Sequence, residues 1–186
     1  MFYFDSEIWQ NLPADMMTVI MEVSPNRMSY QEGMGEMKWV LEDGIATICG
    51  YSCSKASTIY GGRKWTVWYA PDIPSPAGPW KFNGLPGLIL AASDQESKHE
   101  FRAIAFRKGV TPVVKTNDVT IFASTREKTL SAKSMSEKEI ASGKMPSVSE
   151  VRDVSIIKTR DGNSIIYING VARRPRPNGY QPLELE

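Results

Sequence analysis

The side chains that most often carry out catalysis are sparse in this sequence. His99 is the one histidine among 186 residues, so a Ser-His-Asp or Cys-His catalytic system would have to use it. It lies between two charged residues at the predicted start of a strand, where we expect a solvated side chain. The acidic pairs Glu42-Asp43 and Asp94-x-Glu96 lie in predicted turns, where acidic residues commonly stabilise the turn itself. We therefore expect no enzyme, with a hydrolase that uses carboxylates or His99 as an alternative.

The two cysteines, Cys49 and Cys53, are separated by three residues. In a regular strand they would share a face but stand about 13 Å apart, at about 3.3 Å per residue. A disulfide needs Cα atoms within about 7 Å, so a bond would require Gly50 to break the strand. Three alternatives stay open: two buried thiols, a disulfide, or a copper or zinc site that also uses methionines. We expect no cofactor and no metal, with Cys49 and Cys53 as the alternative ligands.

A cluster of aromatic and basic side chains is the better candidate for a functional surface. It has two interpretations: a core that the chain fills with its own loop, or a binding cleft to which the loop contributes rigid contact residues. The predicted contact residues are Lys55, Trp65, Trp68, Tyr69, Trp80, Lys81, Phe82 and Leu85.

The loop in question spans residues 71–87 and contains five prolines and three glycines. Proline fixes φ and removes a hydrogen-bond donor, so neither a helix nor a central strand can continue through this segment. Disorder would leave Trp80, Phe82, Leu85 and Leu88 in water. We therefore predict an ordered loop, in which Gly84 and Gly87 can adopt positive φ on either side of Pro86.

A β-hairpin is predicted immediately before this loop. Two strand-like segments flank Gly61-Gly62, which is a strong signal for a two-residue turn. With Tyr60 and Arg63 closing the turn, paired residue numbers sum to 123. Lys55 then faces Trp68, which would form a cross-strand cation–π pair.

The rest of the chain is also rich in strand patterns. Residues 1–24 are ambiguous. A short helix is predicted near Trp9, and residues 12–23 fit either a helix, by their apolar spacing, or a buried strand at 17–23, which we favour because the rest of the chain is β-rich. The capping-box pattern Ser134-x-x-Glu137 predicts a short helix over 136–142 that stops at Gly143. Further strands are predicted at 27–32, 39–41, 44–60, 63–70, 88–92, 100–108, 110–114, 119–123, 151–158 and 164–168, with a hairpin turn at 160–163.

These elements predict a mainly β fold. We expect a single antiparallel β domain, a sandwich or an open half-barrel, with one or two short helices. The domain would span 1–186, with an ambiguous N-terminal segment at 1–38 and a Pro-rich C-terminal tail at 171–186.

Composition narrows the range of partners. Lys plus Arg is 22 and Asp plus Glu is 21, which disfavours a nucleic-acid-binding protein because such proteins present a basic face. No apolar run approaches the length of a transmembrane segment. The first residues lack the basic start and apolar stretch of a signal peptide.

Several motifs in the chain resemble one family. Residues 84–89 read GLPGLI, and they follow GYxCxKA at 50–56, GRxWxxWY at 62–69, DIP at 72–74 and GPWKF at 78–82. With the ending at 180–186, this pattern is similar, over about 39–186, to the GLPGLI family of exported bacterial proteins. The resemblance implies a secreted or periplasmic protein of the Gram-negative envelope, with a signal removed or truncated before Met1. It implies no catalytic residue, because the family has no assigned activity.

We therefore predict a non-enzymatic binding or accessory protein of the bacterial cell envelope. Its candidate contact surface is the loop at 71–87, and its partner would be a protein, peptide, lipid or glycan. The alternatives are a copper- or zinc-handling protein and a hydrolase.

Overall fold

The structure is a computed structural model that describes residues 6–35, 37–107, 109, 120–146, 148–159 and 164–173. These residues cluster in two compact units. The first unit combines the chain up to Glu32 with the described residues from 120 onward, and the second contains the described residues between Gly33 and 109. The prediction of one domain over 1–186 stays a prediction, and each unit is described by itself.

The second unit is built on a five-stranded antiparallel sheet with the strand order β4-β5-β6-β7-β8. Because each strand neighbours the next along the chain, short turns suffice to connect most of them. The strands are β4 (Val40–Ile48), β5 (Tyr51–Tyr60), β6 (Arg63–Ala70), β7 (Leu88–Asp94) and β8 (Glu100–Arg102).

The predicted hairpin and its register are confirmed. Strands β5 and β6 pair antiparallel from Tyr60↔Arg63 outward, and Lys55 lies opposite Trp68. Gly61 and Gly62 both have positive φ, 57° and 70°, which glycine adopts without the steric cost of a Cβ.

The loop at 71–87 is ordered, as predicted, and its backbone is tied to itself and to the sheet. Within the loop, the carbonyl of Pro76 accepts a hydrogen bond from Gly84 N at 2.9 Å. The carbonyls of Ile73 and Ala77 accept from the first two amides of β7. A Cβ on Gly87 would lie 2.3 Å from the carbonyl oxygen of Ala70, so the loop closes against β6 only because glycine stands there. Gly84 has φ +91°, as its position predicted, whereas Gly87 is needed for space rather than for positive φ.

The first unit contains two smaller sheets. One has the order β1-β2-β3-β9 and the other has the order β10-β11-β12. Strand β9 pairs with β3 in parallel, which the prediction of a purely antiparallel domain did not include. The strands are β1 (Ser6–Gln10), β2 (Met16–Val23), β3 (Asn26–Gly33), β9 (Ile121–Ala123), β10 (Val154–Lys158), β11 (Ser164–Ile168) and β12 (Val171–Arg173).

One helix, α1 (Arg126–Ala141), packs against β2 of the same unit through polar groups. Lys133 Nζ donates to the carbonyl of Glu22, and Ser136 Oγ donates to the carbonyl of Ser24 at 3.0 Å. A 3-10 turn spans Val148–Glu150. No helix among the described residues is long and apolar enough to cross a membrane.

The predicted mainly β, antiparallel-rich fold is confirmed, and the described strands form no closed barrel. The helix predicted near Trp9 was wrong, and the helix predicted over 136–142 is confirmed in its end but not in its start. Residues 6–10 form a strand, and α1 begins ten residues before Ser136 because Thr125, not Ser134, caps it by accepting from Lys128 N. The strand predicted at 100–108 ends at Arg102. The predictions at 110–114 and 160–163 lie outside the described residues. So does most of the tail predicted at 171–186, whose first three residues form β12 instead.

Candidate functional site

The predicted contact residues divide between the two faces of the five-stranded sheet. Because side chains alternate along a strand, Trp65 and Tyr69 point to one face of β6 while Trp68 points to the other. Trp65 contacts the loop aromatics, so the loop lies on its side, which we name the covered face. The opposite side, which carries Lys55 and Trp68, is named the Trp68 face.

On the covered face, the loop aromatics pack directly on Trp65. The ring centroids of Trp65 and Phe82 are 4.9 Å apart, and those of Trp80 and Phe82 are 5.3 Å apart. Trp65 and Phe82 are fully buried. The ring of Trp39 also packs against Phe82, with the two centroids 6.2 Å apart. This is the interior of the unit, and the loop supplies a large part of it.

Six of the eight predicted contact residues are therefore buried: Trp65, Tyr69, Trp80, Lys81, Phe82 and Leu85. A side chain with almost no exposed surface cannot contact a partner without opening the core. The burial favours the interpretation of the loop as a core plug over the interpretation as a binding cleft.

The buried lysine of the loop belongs to this packing. Lys81 is 1% exposed, and its Nζ lies 5.9 Å from the ring centroid of Trp80. Trp80 itself has φ +53°, which is uncommon for a residue with a Cβ. The side-chain amide of Asn83 donates a hydrogen bond to the backbone carbonyl of Lys81. The backbone carbonyl of Asn83 accepts a hydrogen bond from Trp39 Nε1 at 2.8 Å.

His99 belongs to a buried charge network rather than to the solvent, so the prediction of a solvated side chain was wrong. Asp94 Oδ2 lies 3.1 Å from Arg63 Nη1 and 3.2 Å from His99 Nδ1. Burial raises the pKa of the Asp94 carboxyl, but hydrogen bonds from His99 and from Lys98 N outweigh it and leave that pKa lowered. The network joins the end of the hairpin to the turn before β8, which is a structural role.

The two remaining predicted residues, Lys55 and Trp68, form a partly exposed cluster on the Trp68 face. Lys55 Nζ lies 2.8 Å from Glu42 Oε2, and the two side chains are 31% and 29% exposed. Hydrogen bonds from Lys55 and from Ser57 lower the pKa of the Glu42 carboxyl, so the carboxylate is ionised at neutral pH. Trp68, directly across from Lys55, is half-buried.

Gly44 completes this cluster from the edge strand. The register of β4 against β5 shifts between Glu42 and Ile45, which is a β-bulge. A Cβ on Gly44 would lie 3.3 Å from Trp68 Cη2, so the indole extends from β6 across Lys55 to the bulge. The bulge and its glycine let the ring lie across the sheet.

Sequence reasoning missed Glu42, Gly44 and Ser57 as site residues. It assigned Glu42 to a turn, whereas the residue lies inside β4. The sequence signal that could have placed Glu42 in a strand is the dipeptide Cys49-Gly50. In the structure these two residues have φ values of 51° and 82° and form the tight turn between β4 and β5. Pairing the residues outward from that turn places β4 alongside β5. The sequence pattern does not reveal the bulge between Glu42 and Ile45, so the residue opposite Glu42 could not be predicted.

Both cysteines are free thiols, with Cys53 buried and Cys49 partly buried, so they do not form the disulfide that was one of the three alternatives. Cys49 Sγ contacts the carbonyl of Ala103 at 3.3 Å, and Cys53 Sγ contacts that of Tyr51 at 3.5 Å. Burial raises the pKa of the Cys53 thiol. Among the described residues, no group of three or more His, Cys, Asp or Glu side chains is placed to hold a metal ion.

Comparisons with known proteins find a family of unknown function and solved structures with a similar fold, and they indicate no activity. Residues 61–91, which include the hairpin turn, β6, the loop and the start of β7, match a family described as a protein of unknown function (Porph_ging). No curated protein matches the chain.

Two solved structures of PNGF-II are similar to this chain. The structure in space group C2 has a TM-score of 0.53 at 17% identity, over 74% of this chain and 26% of that chain. The structure in space group P21 has a TM-score of 0.50 at 15% identity, over 66% and 23%. The chain thus spans about a quarter of the length of the PNGF-II chains, and at these identities the likeness shows the fold alone. It is a β-rich chain that shares a segment with a family of unknown function and a fold with part of PNGF-II.

Proposed function

We propose that this protein is a non-enzymatic binding or accessory protein of the bacterial cell envelope that holds its ligand on the Trp68 face. The observation that carries the proposal is the contrast between the tryptophans of β6. Trp65 is fully buried in the core, whereas Trp68 is partly exposed beside the paired Glu42 carboxylate and Lys55 ammonium.

The physical properties of this cluster suit recognition. An indole offers a large amphipathic surface with few rotatable bonds, so it loses little entropy on binding. Trp68 packs against the cluster that contains Ile48, Cys53 and Ala91, which restricts its movement. The Glu42–Lys55 pair is already formed, so a ligand meets an ordered acceptor and donor.

In this proposal the loop at 71–87 acts as a scaffold and not as the contact surface. It fills the covered face and so supports the strands from which Lys55 and Trp68 project. This moves the candidate site from the loop to the opposite face of the same sheet.

The envelope location rests on the resemblance to the GLPGLI family, whose defining hexapeptide overlaps the matched segment at 61–91. Membership of that family and a periplasmic or secreted location are part of the proposal. Immunodetection in cytoplasmic, periplasmic, membrane and culture-medium fractions of the producing bacterium checks the location, and finding the protein in the cytoplasm alone would contradict it.

Cosedimentation with envelope fractions tests the binding function. Purified protein is mixed with outer membranes, peptidoglycan sacculi or surface polysaccharide, and the bound fraction is measured. We expect Trp68→Ala to reduce binding at least fivefold. Glu42→Gln, which keeps the side-chain shape, should weaken binding without the packing change that loss of an indole brings.

Ile59→Ala is the matched control, because Ile59 is 79% exposed on the same face but lies outside the cluster. It should bind like the wild type. Wild-type binding that both Trp68→Ala and Glu42→Gln leave unchanged, or no binding to any fraction, would refute the proposed site.

A further inference from the structure

We propose that the ligand of the Trp68 face is a carbohydrate, specifically a chain of hexopyranose units. This inference rests on the proposed function and names the ligand class of the same site. A pyranose ring has an apolar face of C–H groups and a rim of hydroxyls, each of which can donate and accept hydrogen bonds. A site for it needs an exposed aromatic face, a fixed acceptor and a fixed donor within one ring diameter.

Trp68 supplies the aromatic face and a hydrogen-bond donor. Three other tryptophans use their indole N–H groups inside the protein: Trp9 donates to Glu7, Trp39 to Asn83 O and Trp65 to Tyr60 O. None of the residues that the structure describes accepts a hydrogen bond from the Trp68 indole. Within this part of the chain the N–H is not engaged, and in this proposal it donates to a ligand hydroxyl.

The Glu42–Lys55 pair supplies the acceptor and the donor. One oxygen of Glu42 is engaged by Lys55 at 2.8 Å, and the carboxylate as a whole can accept about four hydrogen bonds. An ionised carboxylate can accept from two neighbouring hydroxyls, and the ammonium can donate to a hydroxyl or ring oxygen. The charges of Glu42 and Lys55 compensate each other, so this pair by itself does not demand a charged ligand.

The strand register extends this arrangement across the sheet. The row Glu42, Lys55, Trp68, Ala91 and Arg102 runs perpendicular to the five strands on one face. The adjacent row contains three hydroxyl side chains, Ser57, Thr66 and Ser93, on three successive strands. Thr66 and Ser93 are partly exposed and can offer hydroxyl groups to a sugar beside the indole, whereas Ser57 is buried and hydrogen-bonds Glu42.

The edge of the sheet argues against a peptide that binds as an added strand. Strand β4 is an edge strand, and peptide addition would require a continuous row of its outward-facing backbone groups. The bulge between Glu42 and Ile45 interrupts that row beside the site. The charged Glu42–Lys55 pair likewise disfavours an acyl chain, which would leave both ions desolvated without new partners.

A printed array of neutral and acidic oligosaccharides, probed with the labelled full chain, tests the inference. Hits are followed by titration calorimetry with the soluble oligosaccharide. We expect Trp68→Ala to weaken Kd about tenfold or more, which corresponds to about 1.4 kcal/mol. Trp68→Phe, which keeps an aromatic face but loses the N–H, should fall between Trp68→Ala and the wild type.

Glu42→Gln should weaken binding to a similar degree, whereas Ile59→Ala should leave Kd unchanged. An array with no signal above background overturns the carbohydrate assignment, as does binding that Trp68→Ala and Glu42→Gln both leave intact. If the array is silent while Trp68-dependent cosedimentation with outer membranes persists, the carbohydrate class is wrong and the proposed function stands. If the array and the cosedimentation both fail, both proposals fall.

Discussion

Two tryptophans three residues apart illustrate how position on a strand decides the role of a side chain. Trp65 is fully buried against Phe82 and donates its indole N–H to the carbonyl of Tyr60 at 3.1 Å. Trp68, on the opposite face of β6, is half-buried and lies opposite Lys55. The residue type is the same, and the alternation of the strand separates a core residue from a candidate contact residue.

Phe82 provides the sharpest test of the core role of the loop. Its ring is fully buried and contacts Trp39, Trp65, Trp80 and Phe101. Phe82→Ala should lower the free energy of unfolding by about 3–5 kcal/mol, because truncation leaves a cavity among rigid rings. Urea unfolding followed by circular dichroism measures the change.

Ile59→Ala, on an exposed side chain, is the control and should change stability by no more than about 0.5 kcal/mol. A loss below about 1 kcal/mol for Phe82→Ala would show that the loop does not fill the core, and would restore it as a candidate contact surface.

At the scale of elements, the loop at 71–87 depends on the close approach of two backbone segments. Gly78 and Gly87 both lie where a Cβ would meet other atoms within 3.0 Å, Gly87 against the backbone of Ala70 and Pro71. The glycines thus determine how tightly the loop closes on β6 and β7. Prolines at exposed positions, such as Pro74 and Pro86, restrict the unfolded chain and so favour the ordered loop.

Gly87→Ala tests this closure. The added Cβ would lie 2.3 Å from the Ala70 carbonyl oxygen, so the backbone must move. We expect a loss of about 1–3 kcal/mol or more in the free energy of unfolding, as for overpacked cores. Hydrogen exchange should also increase in the amides of the loop and of the first residues of β7.

Gly109→Ala is the matched control, because nothing lies within 4 Å of its added Cβ. Its stability should equal that of the wild type within about 0.5 kcal/mol. Equal stability of Gly87→Ala and Gly109→Ala would mean that the close approach of Gly87 to the backbone of Ala70 does not contribute to the free energy of unfolding.

At the scale of the whole molecule, formal charges nearly cancel at pH 7, at +1, so net repulsion is small there, and the loss of stability toward acid includes the protonation of buried, paired carboxylates. Asp94 is the clearest of these, because its carboxyl is 2% exposed and is paired with Arg63 and His99. Its pKa in the folded state lies below the ordinary value of 3.8. The carboxylate therefore contributes its full stability above about pH 4, and that contribution is lost as the pH falls through the lowered pKa.

Asp94→Asn should separate this contribution from the other carboxyls. At pH 7 the variant should be about 3 kcal/mol less stable, since Arg63 would keep a buried charge without its ionised partner. Below pH 4 its stability should decline less steeply than that of the wild type. Urea unfolding at a series of pH values from 7 to 2 measures both effects.

Glu100→Gln is the control, because Glu100 is an exposed carboxyl on the neighbouring strand. It should retain the acid dependence of the wild type. Parallel stability curves for Asp94→Asn and the wild type below pH 4 would mean that Asp94 is not the group that titrates there.

The sequence by itself determined the features that depend on neighbouring residues. The Gly61-Gly62 turn set the register of β5 and β6, including Lys55 opposite Trp68, because a two-residue turn leaves one way to pair the flanking strands. The ordered, proline-broken loop followed from local composition in the same way. The strand at β2 was preferred to a helix only because the rest of the chain is rich in strand patterns. The helix was found only in its last turns, because its first half lacks an apolar stripe and its cap at Thr125 was not recognised.

Only the tertiary structure decided which face of the sheet the loop covers, and hence which tryptophan stays partly exposed. That choice depends on contacts such as Trp39 with Phe82 and Trp65 with Phe82, which join residues far apart in the chain. The same holds for Glu42 beside Lys55, since a bulge shifts the pairing of β4 by an amount that no local pattern encodes. Local turn chemistry limits the conformations of a few residues, whereas the choice of buried face is made by the summed packing of the whole unit.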